Sequence, residues 1–449
     1  MFKKIEIWVL YLTILLSLLF AIGFGVLVRQ ELVGSIKVGW VSKTALSLAE
    51  MPVNIKSMLR SVLRLEDRFP TIDGFEGTPN SKETFLLLSR YDGDLLEPVV
   101  DLVDLTNFEV VHTWNPDIDA FNDLVDQVDD FKHLERDNND SRTIMRHPKL
   151  TQEGGLLFTS DALRNIDACS KLIFQNTHDI FHHSIEEDID GNIWVPSHIY
   201  PQTLPVEKVG REVGVRGFFD DAIVKLSPKG EILFEKSVSQ IFIENSLEYL
   251  LFSVGDRRFD KDPIHLNDIQ PVNYNSQYWK MGDVFLSLRH QSMILLYRPS
   301  TNKIIWTGTG PFFHQHDVNI LDNQKISIFN NNSKDFVNGN VVDGHNEVII
   351  YDFKTDKYTS YLKSSMIEND VRTITEGRSQ ILPNGDLIIE EQNYARTLYF
   401  NKDGSLRWSH VNRSKDGSVY HVGWSRILYT KKDIQTVNSF LEKKGTCNE

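Results

Sequence analysis

The pattern of apolar and polar positions changes twice along the chain. Residues 5–28 are almost wholly apolar, broken only by Glu6, Thr13 and Ser17. At about 1.5 Å per residue, a helix of that length crosses a hydrocarbon core. Lys3 and Lys4 precede the run, so the positive-inside rule leaves the N-terminus in the cytoplasm and everything after Arg29 outside. Small-x-small sequences such as Ala21-Ile-Gly23 lie inside the run, which favours an uncleaved signal anchor over a cleaved peptide. In residues 30–82, apolar positions at helical spacing (Val53, Ile55, Met58, Leu59, Val62, Leu63) give way to a Pro-, Gly- and Asp-rich stretch over 67–80, which predicts a short helical stalk or collar.

From about residue 83 the pattern is one of short β-rich runs separated by Asp-Gly, Asn-Gly and Lys-Gly turns, whose positive φ suits tight hairpins. The runs recur as units. Residues 374–411 (ITEGRSQILPNGDLIIEEQNYARTLYFNKDGSLRWSHV) hold an inner strand, a middle strand, a turn and an outer strand ending near Trp408. Comparable units are read at 182–237, at 283–308 and at 316–362, with weaker ones at 85–114 and 150–176. Residues 422–429 (VGWSRILY) offer a closing strand. A single such sheet cannot bury both faces, so units of this grammar pack on one another around an axis. The expected architecture is all-β: an N-terminal transmembrane helix (1–29), a helical stalk (30–82), a six-bladed β-propeller (83–430) and a C-terminal tail (431–449).

Composition narrows the function. The formal charge of −14, with no run of Lys or Arg, excludes non-specific nucleic-acid binding. Two cysteines, Cys169 and Cys447, are too few to build a zinc site or a disulfide framework; one bridge between them and two unrelated thiols both fit the sequence. Asp188-Ile-Asp190-Gly-Asn192 lacks the remaining ligands of a calcium loop and reads as a β-turn, so no metal is expected.

The candidate chemistry lies in the histidines. His182-His183, His265 and His314-Gln-His316 sit at the edges of strands that would be innermost in a blade, and Arg289 ends another such strand. Innermost strands converge on the axis, so these residues would meet in one pocket. Imidazoles with a guanidinium suit an anionic substrate: Arg offers a permanent charge and a planar fork, His a nucleophile, an acid or a base. His112, His133, His147, His345 and His410 read as structural, His198 as a neighbour of the set, and His421 and Arg426 as further channel candidates.

At these residues the chain resembles the bacterial arylsulfate sulfotransferases. HHSIEEDIDGNIWV is similar to that family's His-His…Asn-Gly-Asn element, HLNDIQPV to its His-x-Asn-Ser element, FLSLRHQSMILLYRPSTNKIIW to its Ser-Ser-Arg strand and hairpin, and FFHQHDVNILDNQKISIFNNN to its Gln-His-Asp element. GRSQILPNGDLII is similar to the family's last blade, so the resemblance spans roughly 178–410. It implies a cofactor-free transfer of a sulfuryl group from an aryl sulfate to a phenol without a nucleotide sulfate donor. His316 would be the nucleophile, His183 and His265 would bind sulfuryl oxygens and handle the phenolic proton, and Arg289 would neutralise sulfate charge. His182, His314 and Asn267 would contact substrate. This sequence departs from the family in having Asp268 for Ser, Leu288 in the Ser-Ser-Arg element, and no room for an N-terminal β-sandwich. The implied setting is the inner membrane, with the folded part in the periplasm. Rival readings are a non-catalytic anchored propeller that binds a ligand or organises partners, a quinone-dependent dehydrogenase, and a lyase or hydrolase of sulfated or acidic sugars.

Overall fold

The structure is a computed structural model that describes residues 6–33, 40–58, 63–126, 128, 131, 134, 138–210, 217–253 and 259–443. His133 and Cys447 fall outside them. The chain divides into two compact units, Met1–Val62 and Leu63–Glu449. The first contains a helix over Ile7–Val33, followed by a helix over Trp40–Met58. The Ile7–Gln30 stretch is long and apolar enough to cross a membrane.

The second unit is all-β in its framework. Four sheets have the four- or five-stranded form of a propeller blade. One joins Phe85–Asp92, Glu97–Asp104 and Glu109–Trp114, and Arg426–Leu428 pairs antiparallel with Leu87 to Phe85 as its fourth strand. The anticipated closing segment therefore fastens the end of the ring to its beginning. The other three begin at Leu266–Pro271, His316–Ile320 and Arg378–Ile381. The expected count of six blades does not hold. The units expected at 150–176 and 182–237 are fused into one seven-stranded sheet, because Phe181 and Ile180 pair with Ser197 and His198.

Two expected boundaries also move. Arg64–Leu65, expected at the end of a stalk helix, is a strand paired with Tyr420 and Val419, and Gly74–Gly77 adds an edge strand along Val411 to Trp408. The compact β unit thus starts at Leu63. The expected tail forms a helix over Lys431–Lys443, whose Val437 and Phe440 are buried with Trp114, Leu156 and Phe158. Cys169 is disulfide-bonded.

Burial explains why the middle strands read as continuous apolar runs. In Val284–Leu288, Val284, Leu286 and Leu288 pack toward Trp194 and Ile223, while Phe285 packs toward Val318, Ile326 and Ile328. The next strand divides likewise, with Met293, Leu295 and Tyr297 on one side and Ile294 and Leu296 on the other. A sheet sandwiched between neighbours must be apolar on both faces.

Successive inner strands are tied by backbone N–H groups that donate to a buried side chain of the preceding unit. Ile185 N donates to His147 Nδ1 (2.9 Å), Ile269 N to Ser184 Oγ (3.2 Å), Val318 N to Asp268 Oδ2 (2.8 Å) and Ser379 N to Asp317 Oδ2 (2.8 Å). Trp424 N and Ser425 N donate to the two oxygens of Glu390 (2.6 and 2.8 Å). His147 N then donates to Gly423 O (2.9 Å), which closes the circuit. Asp268, the departure from the family's Ser, is thus one of the links.

Glu390→Ala leaves two buried N–H groups without an acceptor and is expected to destabilise the protein by about 2–4 kcal/mol. Lys208→Ala, which removes an exposed 2.8 Å ion pair with Glu248, is expected to cost less than about 1 kcal/mol. Urea denaturation followed by Trp fluorescence compares the two.

Candidate functional site

The site forms where the chain enters each inner strand. There the backbone takes the left-handed conformation that side-chain-bearing residues adopt rarely: His147 (φ 46°), His183 (57°), His265 (53°), His314 (49°), Glu376 (56°) and Trp424 (61°). Register breaks follow at once, between Arg146 and Lys149, between Leu266 and Asp268, and between His316 and Val318. A bulge adds an unpaired residue and swings the neighbouring side chains. The combination turns the imidazoles off the sheets and toward the axis.

His183, His265 and His316 meet there. The His183 ring lies 5.6 Å from His265, 6.2 Å from His316 and 5.6 Å from Trp424, and Trp424 stands edge-on to His316 at 6.1 Å. Arg289, only 8% exposed, donates from Nη1 to His290 Nε2 (2.5 Å), and the His290 ring lies tilted 4.5 Å from His265 and 6.0 Å from His314. Arg289 Nε, His314 Nδ1 and Asn267 Oδ1 are buried with no hydrogen-bond partner among the described residues. The cluster therefore holds donor and acceptor capacity that its own residues do not use. Surface clefts of about 680 Å³, beside Tyr399 and Arg407, and about 600 Å³, beside Lys149 and Lys432, lie away from these rings; the chemistry selects the site, not the size of an opening.

His316 is 1% exposed, and its Nδ1 is 2.7 Å from Asn331 Oδ1. The Asn331 amide nitrogen donates to Thr373 O (3.2 Å) and Glu376 O (2.7 Å), which fixes its oxygen toward the ring. Because that oxygen only accepts, the His316 proton sits on Nδ1 and the lone pair on Nε2. Burial, and then the Arg289 charge, push the His316 pKa well below the ordinary imidazole value. His183 is pushed down by burial and then by His182, and His314 falls to about 4 through burial and then Arg289. His265 is oriented by Asp262, its Nδ1 lying 2.6 Å from the carboxylate.

The other expected site residues have different surroundings. His182 Nδ1 is 2.8 Å from His183 Nδ1, but the rest of its ring turns outward to His198 and Asp221. Asn267 spends its amide on Gln315 O (2.9 Å), a tie between sheets. Arg426, a candidate channel residue, donates to Pro148 O and Ile185 O in the wall. His147, taken as structural, is buried against Trp424 with its Nε2 beside the Arg378 guanidinium. His421 is near Glu376, which pairs with Arg146 (2.7 Å). Sequence reasoning passed over Asp262, His290, Asn331 and Trp424. The Asp-x-x-His spacing of 262 and 265 and the His adjoining Arg289 were available signals; Asn331 and Trp424 gave none.

Fold and site together define a β-propeller whose axis carries a neutral, oriented imidazole beside a buried guanidinium. Residues 150–413, more than half of the chain, match the arylsulfotransferase (ASST) family, and the chain belongs to that family. No curated protein matches it. Similar solved structures include a protein of unknown function from Bacteroides caccae (12% identity over 73% of this chain and 94% of that one, TM-score 0.45). Others are TolB from Acinetobacter baumannii (11%, 77% and 66%, 0.42) and the WD40 propeller domain of Doa1 (11%, 83% and 98%, 0.38). Overlaps this loose carry no functional argument.

In a protein with ¹⁵N-labelled histidine, His316 is expected to show the neutral Nδ1–H tautomer and to stay neutral as pH falls from 7 to 5. An unperturbed imidazole protonates over that range, with a midpoint of about 6.5. Protonation of His316 with that ordinary midpoint would contradict the assignment.

Proposed function

We propose that the chain transfers a sulfuryl group from an aryl sulfate to a phenol, without a nucleotide donor, by two displacements at His316 Nε2. The observation that carries this reading is the pairing of His316 with Asn331, which leaves Nε2 as a nucleophilic lone pair on a ring that is neutral at physiological pH. Family membership supports the same reaction class.

In the first displacement the Nε2 lone pair attacks sulfur, an N–S bond forms and the S–O(aryl) bond breaks. The electron pair leaves with the phenolate, which takes a proton from His265. The Asp262 carboxylate, 2.6 Å from Nδ1, holds the His265 ring in place for this. Nδ1–H is retained, so the sulfated ring is cationic and Asn331 Oδ1 shares that charge. Arg289 and His183 receive the sulfuryl oxygens, and Arg289 Nε, buried and unpaired, has a donor to give. In the second displacement the acceptor phenol passes its proton back to His265 and attacks sulfur, and the N–S bond breaks to regenerate His316.

The anchored helix and the disulfide at Cys169 support a location on the outer face of an inner membrane, since disulfides persist in oxidising compartments. Protein isolated from membranes, denatured without reductant, is expected to yield no titratable thiol; full titration of both cysteines would argue for the cytoplasm.

The activity test is release of 4-nitrophenol from 4-nitrophenyl sulfate with phenol as acceptor. Release is expected to depend on acceptor and to vanish in His316→Ala, with a sulfuryl adduct on His316 in the unaltered protein. Arg289→Lys is expected to lower turnover by about 10²–10³-fold, because a point charge does not replace an aimed donor set. Failure of the folded protein to react with any of several donors and acceptors would favour an anion-binding propeller instead.

A further inference from the structure

Beside the imidazole cluster, three strands of the seven-stranded sheet meet. His182 follows the strand Leu172–Phe181, His198 ends Ile193–His198, and Asp221 begins Asp221–Leu226 directly opposite His198 in register. His182 Nε2 and His198 Nε2 lie 3.7 and 3.5 Å from the same Asp221 oxygen, and the two rings are 4.2 Å apart. Asp221 is wholly buried, and among the described residues its carboxylate oxygens and His182 Nε2 make no hydrogen bond of ordinary length, the two imidazoles being the carboxylate's neighbours. A buried carboxylate with no donor is costly unless it is paired or bound to a cation. Ligand atoms held about 2.0–2.1 Å from a tetrahedral ion are about 3.3–3.4 Å from one another, close to the spacing seen here.

We propose that His182, His198 and Asp221 form a binding site for a divalent transition-metal ion of the zinc type. Two imidazoles and one carboxylate make an acceptable donor set for such an ion, and leave its fourth position open. Side-chain exposures of 12% for His182 and 24% for His198 give the ion a route in. The rival triads among the described residues are worse hosts. In Asp262–His265–His290, His265 Nδ1 already faces Asp262 and both His290 nitrogens are engaged, by Asp262 O and by Arg289, whose charge would oppose a cation. In His178–Asp179–Glu235, His178 is more than half exposed and Asp179 accepts from Ser197 (2.6 Å).

The site has a consequence for its neighbour. With Nε2 on the ion, His182 keeps its proton on Nδ1 and donates it to His183 Nδ1 at 2.8 Å. His183 must then carry its own proton on Nε2. An ion here therefore sets the His183 tautomer through one hydrogen bond, as outer partners do for metal-ligating histidines generally.

The test reads metal and not turnover, so it stands apart from the sulfuryl-transfer reading. The full chain, without a histidine tag, is stripped with chelator, equilibrated with micromolar Zn²⁺, desalted and analysed by plasma mass spectrometry. One equivalent is expected to remain, and Co²⁺ in its place is expected to give the visible bands of a low-coordinate site. Asp221→Asn and His198→Gln are each expected to lose the equivalent, while Asp262→Asn and His178→Ala retain it. His198→Gln, at a partly exposed position, carries the test should Asp221→Asn not fold, and the cobalt spectrum needs no variant. No retained zinc, retention in His198→Gln, or loss in Asp262→Asn alone would overturn the proposal.

Discussion

The hydrogen bonds that pass from one inner strand to the next are the constraint on which the rest of the β unit depends. An inner strand pairs with only one neighbour, so its other edge presents N–H groups to the axis. Leaving one buried without an acceptor costs about 1–3 kcal/mol. Here His147, Ser184, Asp268, Asp317 and Glu390 supply the acceptors. Because each bond joins the backbone of one unit to a side chain of the unit before it, the bonds fix both the spacing and the rotation of the inner strands. The imidazoles are aimed by this circuit more than by their own contacts.

The same region concentrates strain. Left-handed backbone at His183, His265 and His314, and bulges beside His265 and His316, are arrangements that a sheet avoids unless its surroundings enforce them. Neutral buried imidazoles and, among the described residues, a guanidinium Nε and the Asp221 carboxylate without ordinary hydrogen bonds add electrostatic cost in the same region. Such concentrations are tolerated where a ligand or a reaction uses them. The apolar layers between the sheets carry the opposing stability.

Much of the framework was legible in the sequence. The spacing of Gly turns marked the hairpins, and strands with both faces buried announced themselves as unbroken apolar runs such as Val284–Leu288. His183, His265, His316 and Arg289 were recognisable because they stand at the starts or ends of such runs. The fused sheet was not, since the pairing of Phe181 with Ser197 depends on where an insertion lets two strands meet. Nor were Asn331 and Trp424, whose significance comes from a bond across 15 residues in one case and from ring closure in the other. The docking of Lys431–Lys443 follows a helical apolar spacing (Ile434, Val437, Phe440, Leu441) that a brief C-terminal segment concealed.

The joining of residues 85–87 to 426–428 also bears on time. Trp424 stands against the His183 and His316 rings, and it takes its place only when its neighbours Arg426–Leu428 find a strand synthesised more than three hundred residues earlier. Until that seam closes, the earlier imidazoles are present on the chain but do not face a common space. The cluster is in this sense a property of completion: a chain still being synthesised has every early residue of the site and none of the site itself.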